Sequence, residues 1–292
     1  MKNMDILYES VKIKGHVCVG LDTCADYVPS LERKKHSNDS YAVLAFNKAL
    51  IDSTFDVCAC YKVQIAYYEE IGIDGLKTYS ETLKYIKSKG CLVIADIKRG
   101  DIADTASRYA KAHYYGDFEA DFVTLSPYMG MDSITPWINE AELSGKGAFV
   151  LMRTSNKGMK DFQYLTVDNE KRVYHSVANK LSDLANQYKG KYDYGIFGAV
   201  VGCTERDEAA QIRNNYSNLF FLIPGYGAQG GGAKDVALLL RDGNGGVVNA
   251  SRSIITSWQN ADNNNADLKF AADSARNAAI TMRDEILLEI KS

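Results

Sequence analysis

Short β-branched runs alternate with longer amphipathic segments along the whole chain, and this alternation restricts the fold more than any single motif. Eight strand candidates stand at His16–Leu21, Cys58–Gln64, Cys91–Asp96, Asp121–Leu125, Ala148–Met152, Ile196–Val201, Leu219–Ile223 and Gly246–Asn249. Helical periodicity falls between and after them, over Tyr41–Thr54, Gly75–Lys87, Ala103–Tyr115, Met131–Glu140, Val173–Tyr188, Glu205–Arg213, Lys234–Leu240 and Ala266–Lys291. The strand runs are short and apolar, as strands covered on both faces must be. Eight such units in 292 residues predict an α/β fold, a (β/α)8 TIM barrel, with residues 1–292 as a single domain. The competing arrangement is an open doubly wound sheet. It would want Gly-x-Gly-x-x-Gly after its first strand, where this chain has Leu21-Asp22-Thr23. The run Asn260–Asn265 reads as a polar loop before the last helix.

Charge narrows the partners. With 34 Lys and Arg against 37 Asp and Glu, the net charge of −3 gives no overall positive field for nucleic acid or anionic lipid. No stretch approaches the roughly 20 apolar residues of a membrane span. The opening Met1–Leu7 lacks the apolar core of a signal peptide, so a cytoplasmic protein is expected. Six cysteines sit mostly in strand-like runs and read as small buried hydrophobes. Cys58 and Cys60 could share a strand face, but no second Cys pair or His cluster completes a metal site, and none is expected.

In a barrel of this kind the chemistry gathers at the carboxyl ends of the strands. The richest of those ends is Asp96-Ile97-Lys98-Arg99-Gly100-Asp101-Ile102. Strand alternation puts Ile94, Asp96 and Lys98 on one face, and Asp101 can approach the same lysine from the loop. Lys62, within the second strand, needs a carboxylate partner, because an unpaired buried lysine loses several kcal/mol of solvation. Lys62, Asp96, Lys98 and Asp101 therefore read either as a catalytic charge array or as a structural ion-pair network. Asp22 either faces the same site or caps its loop. The loop Gly225–Gly232, including Gly227, Gly230 and Gly231, has the backbone freedom to bring amides to an anion, and a helix follows it. Arg252, after the eighth strand, fits a phosphate grip or a surface ion pair. The fifth strand runs into Arg153-Thr154-Ser155-Asn156 and a long polar segment reaching Asn169, either a binding lid or an irregular insertion.

These residues together resemble the orotidine 5′-phosphate decarboxylase family. Asp96-Ile97-Lys98-Arg99-Gly100-Asp101-Ile102 is similar to its Asp-x-Lys-x-x-Asp signature. Lys62-Val63-Gln64-Ile65-Ala66-Tyr67-Tyr68-Glu69, Arg153-Thr154-Ser155-Asn156, Pro224–Gly231 and Asn249-Ala250-Ser251-Arg252 resemble other family segments in the same order. The Thr154-Ser155-Asn156 segment and long fifth loop look most like the longer bacterial-type branch. Val63 and Lys157 stand where that branch usually has proline.

The resemblance implies cofactor-free conversion of orotidine 5′-phosphate to uridine 5′-phosphate, with Lys98 as proton donor within the array of Lys62, Asp96, Lys98 and Asp101. It implies that Asp22 binds ribose, Ser155 and Gln229 the pyrimidine, and Gln229 and Arg252 the phosphate. It further implies a homodimer, in which Asp101, Ile102 and Thr105 reach the partner's ligand. Two rivals stand beside it. One is a magnesium-dependent sugar-phosphate decarboxylase of the same superfamily, such as 3-keto-L-gulonate 6-phosphate decarboxylase. The other is a non-catalytic barrel that binds pyrimidine nucleotides, for which two extra carboxylates would be of no benefit.

Overall fold

A computed structural model describes residues 1–167, 171–227, 229–260 and 266–291. Eight parallel strands close into a barrel in sequence order: β1 (Val17–Gly20), β2 (Cys60–Gln64), β3 (Leu92–Arg99), β4 (Phe122–Leu125), β5 (Gly147–Arg153), β6 (Phe197–Val201), β7 (Phe221–Ile223) and β8 (Gly246–Ala250), with β8 pairing back onto β1. All eight strands and the helices between them fall where the periodicity predicts, with boundary shifts of a few residues. The polar run before the last helix lies outside the described residues from 261 to 265, as do 168–170 of the fifth loop.

Two hydrophobic layers explain the architecture. Outward-facing strand residues such as Val19, Val63, Val93 and Val123 pack beneath the helix ring, with Phe46, Leu50, Leu83 and Trp137 among their partners in one cluster. Inward-facing residues form a second cluster that includes Cys18, Cys60, Ile94, Phe122, Phe149, Phe220 and Val247. The rings of Phe122 and Phe149 lie 5.3 Å apart and those of Phe149 and Phe220 6.4 Å apart, filling the amino-terminal end of the barrel. Glycine makes room for them. A Cβ on Gly147 would stand 2.8 Å from the Phe122 ring, and one on Gly198 2.9 Å from the Phe149 ring.

A helix that the sequence reading does not anticipate, Asn3–Lys14, closes this end from below. Met4, Leu7 and Val11 join the inner cluster, and Ser10 Oγ donates to the Ala59 carbonyl at 2.7 Å. Cys58 and Cys60 do not share a face: Cys58 packs in the outer cluster and Cys60 in the inner one, because β2 begins only at Cys60. No described helix is long and apolar enough to cross a membrane.

Candidate active site

The interior face changes character one pleat further along the strands. On β2 the residue after Cys60 on that face is Lys62, which is 5% exposed. Its ammonium donates to Asp22 Oδ1 at 3.0 Å and to Asp96 Oδ2 at 2.9 Å. Asp22 is held in turn by Ser251 Oγ, which donates to its other oxygen at 2.9 Å. Asp96, on β3, is 6% exposed and accepts four hydrogen bonds: from Lys62, from Gln64 Nε2 at 3.0 Å, from Lys98 Nζ at 2.6 Å and from Thr124 Oγ1 at 2.8 Å. Burial alone would raise the Asp96 pKa. The attraction of Lys62 and Lys98 outweighs it and holds the carboxyl well below the usual range. For Lys62, burial works against the charged form, and the adjoining Asp22 and Asp96 carboxylates raise its pKa despite it.

Lys98 reaches this array through a break in its strand. The register between β3 and β4 shifts between Ala95 and Arg99, and Lys98 adopts φ 44°, a left-handed conformation that costs a non-glycine residue about 1–2 kcal/mol. Thr124 stabilises the kink. Its hydroxyl oxygen accepts from the Ile97 and Lys98 amides at 3.0 and 2.9 Å while its proton goes to Asp96. Thr124 is a site residue that sequence reasoning missed; only its place on the inward face of β4 pointed to it.

Asp101 does not join the array within this chain. Its carboxylate accepts from the Ile102 amide at 2.8 Å, and among the described residues it forms no ion pair. Ile102 and Thr105 likewise lie at the start of the following helix, Ile102 exposed. Arg153 also departs from expectation. It is fully buried behind the barrel wall, donating to the carbonyls of Gly202 and Glu205, and so faces away from the mouth.

A cavity of about 390 Å³ opens over the array, lined by Asp22, Lys62, Gln64, Asp96, Lys98, Thr124, Ser155 and Gln229 among others. A second, of about 270 Å³, carries Arg252 and shares Asp22, Tyr67, Pro224, Gln229 and Asn249 with the first. The two form one depression with a charged floor and an arginine at its far end. Among the described residues Arg252 makes no ion pair. The glycine loop behaves differently from expectation. The amides of Gly227, Gly230 and Gly231 are used within the loop, donating to the carbonyls of Gly231, Gly227 and Gly225. The loop thus shapes a wall, and Gln229 and Arg252 present the polar groups; Ala228 lies outside the described residues. A larger depression of about 580 Å³ lies away from the strand ends, around Arg172, His175, Glu208 and Tyr216. Its principal charges, Arg172 and Glu208, are already paired with each other.

Barrel, buried charge array and adjoining arginine pocket define a (β/α)8 enzyme-type site for a small anionic ligand. The model of the orotidine 5′-phosphate decarboxylase / HUMPS family matches residues 15–264, and the chain belongs to that family. Orotidine 5′-phosphate decarboxylase of Clostridium perfringens is 54% identical over 282 residues, covering 97% of each chain. Among solved structures, Leishmania donovani OMP decarboxylase superposes with a TM-score of 0.77 at 32% identity over the whole of both chains. A putative orotidine 5′-phosphate decarboxylase from Streptomyces avermitilis gives 0.80 at 29% identity, covering 99% of this chain and 95% of its own.

Proposed function

We propose that this chain decarboxylates orotidine 5′-phosphate to uridine 5′-phosphate in de novo pyrimidine synthesis. The observation that carries this reading is the continuous array Asp22, Lys62, Asp96 and Lys98, set beside a pocket whose far end holds Arg252. In the proposed step the C6–carboxylate bond breaks, its electron pair stays on C6, and Lys98 stabilises that charge and then delivers a proton to it. Asp96 keeps Lys98 oriented through their 2.6 Å contact. Asp22 faces the ribose and Ser155 and Gln229 the base, while Gln229 and Arg252 hold the phosphate. Binding energy gained there is realised in the transition state at C6. Lys62 stands between Asp22 and Asp96 and so occupies the place that a divalent cation bridging these two carboxylates would need.

Asp101, turned outward, is assigned to the neighbouring site of a homodimer. The loops after β3, β4 and β5 expose Ile102, Tyr128, Met129, Phe162 and Leu165, with the Tyr128 and Phe162 rings 6.3 Å apart, apolar groups that a second copy could cover. Mixing Lys98→Ala with Asp101→Ala, each inactive alone, should restore activity through hybrid dimers; no recovery would place Asp101 outside a shared site.

The direct test of the function is loss of the ultraviolet absorbance of orotidine 5′-phosphate on incubation with the purified protein, with and without a chelator. An unchanged spectrum from folded protein would overturn the activity. Loss that the chelator abolishes would favour the metal-dependent rival.

A further inference from the structure

Ser155 lines the deep cavity, yet among the described residues its own side chain makes no hydrogen bond that would hold it there. Its placement comes from elsewhere. A Cβ added to Gly202 would lie 2.7 Å from Ser155 Cβ, so the segment rests directly on the end of β6. Its neighbours are held by one carboxamide. Gln163 Oε1 accepts from the Thr154 amide at 2.8 Å, and Gln163 Nε2 donates to Thr154 Oγ1 at 2.9 Å. The Thr154 hydroxyl then donates to Asn156 Oδ1 at 2.7 Å, so the chain of bonds continues past Ser155 to the residue on its other side.

Gln163 is itself anchored from both directions. Its amide donates to Met159 O at 2.8 Å, and its carbonyl accepts from Tyr174 N at 3.1 Å, in the first turn of the helix Val173–Gln187. Met159, 3% exposed, seats the short helix Met159–Phe162 in the protein. Next to Gln163, Tyr164 donates to Glu208 at 2.8 Å, and Glu208 also receives Tyr174 at 3.2 Å and Arg172. A segment that reads in sequence as either a binding lid or an irregular insertion is thus strapped to the helix Arg206–Asn215. Gln163 does not itself line either cavity.

We infer that Gln163 is a positioning residue for the base subsite: its carboxamide fixes Thr154 and Asn156, and through them the Ser155 between, without touching the nucleotide. A polar segment of this kind has few apolar contacts of its own, and a loss of its bracing loosens the site by the fraction of an ångström that costs affinity. The inference rests on the reading that Ser155 meets the pyrimidine.

The test compares two ligands by calorimetry on the full chain, uridine 5′-phosphate and ribose 5-phosphate, which lacks the base. Gln163→Leu removes both bonds at nearly constant volume and should weaken uridine 5′-phosphate about tenfold while leaving ribose 5-phosphate within about twofold. Gln163→Glu keeps the acceptor for the Thr154 amide and should give a smaller loss with the same selectivity; it also serves if the leucine variant does not fold. A role in stability alone would lower the melting temperature and leave the ratio of the two affinities unchanged, which would overturn the inference. Ser155→Ala separates the two failures. If it weakens uridine 5′-phosphate selectively and the Gln163 variants do not, only the positioning role falls. If none of the variants distinguishes the ligands, the base-facing reading of Ser155 falls and takes the inference with it.

Discussion

At the amino-terminal end of the barrel, Cys60, Ile94 and Phe122 fill the interior; two residues further along the same three strands stand Lys62, Asp96 and Thr124. One pleat, roughly 7 Å, separates an apolar plug from a layer of desolvated charge. The plug holds by ring packing, which tolerates any neighbour of the right shape. The charges hold only in company: Lys62 without Asp22 and Asp96, or Asp96 without its four donors, would be a buried ion whose isolation costs several kcal/mol. Such an arrangement is poor as a source of stability and strong as a fixed field. The two ends should therefore answer mutation in different currencies.

The largest effect is expected at the top. Lys98→Ala should lower turnover about ten-thousandfold if, as proposed, it removes both the proton donor and the charge beside C6, while uridine 5′-phosphate still binds measurably. The side chain is 47% exposed, so the melting temperature should change little. Turnover near that of the wild type in a steady-state assay would remove the distinction between the ends. At the bottom the pattern inverts. Phe149→Ala opens a cavity beneath Phe122 and Phe220 and should cost about 3–5 kcal/mol in denaturant unfolding, with kcat nearly preserved wherever the protein stays folded. A collapse of kcat in folded protein would mean that the plug and the charge layer are one functional unit.

Arg252→Ala comes next. It should reduce kcat/KM about a hundredfold or more, roughly 3 kcal/mol, with partial rescue by free guanidinium and with kcat on a phosphate-free nucleoside unaffected. Since Arg252 pairs with no carboxylate among the described residues, its removal should not destabilise the fold. Kinetics that barely change would place the phosphate elsewhere.

How far these ends were legible in the sequence follows from what each depends on. The plug and the strands announce themselves through local hydrophobic periodicity, and Asp96 and Lys62 through the implausibility of charge inside such strands. What escaped depends on three-dimensional detail. Strict alternation puts Lys98 on the face of Asp96, but it takes a bulge with φ 44° and the Thr124 hydroxyl to let both reach one point. The same alternation cannot tell that Arg153 folds behind the wall, because the β5–β6 register also shifts there, between Leu151 and Arg153. Asp101 leaves the array because its carboxylate is engaged by the next residue's amide, a local turn choice that spacing does not encode. Gln163 lies nine residues from Thr154, within a polar stretch that carries no periodic signal.

The smallest effect separates the ends by pH. Asp96 has a depressed pKa, so the stability from its pairing is present above the unfolded carboxyl value near 4 and is lost only as pH falls through the lower folded value. Lys62 has a raised pKa, and its contribution persists below the unfolded lysine value near 10.4, disappearing only as pH rises through the folded one. Asp96 and Lys62 therefore do not titrate across the neutral range. The pH dependence of stability in that range comes instead from histidines of the lower half, through the unfolded state. His16, just before β1, and His113, in the last turn of its helix, are both lowered to about 4, His16 by burial and His113 by burial and then Arg99. Each stays neutral when folded and takes a proton when unfolded, so its stabilisation is complete above about 6.5 and drains as pH falls toward 4. Between pH 7 and 5 that amounts to about 2 kcal/mol for each histidine. Urea unfolding across this range should show the loss. His113→Phe, which keeps an aromatic ring between Phe118 and Trp137, should remove a substantial part of it, with His16 and His175, whose pKa burial also lowers, carrying the rest. An unchanged slope in that variant would shift the acid sensitivity to the charged end and reverse the contrast between the two halves.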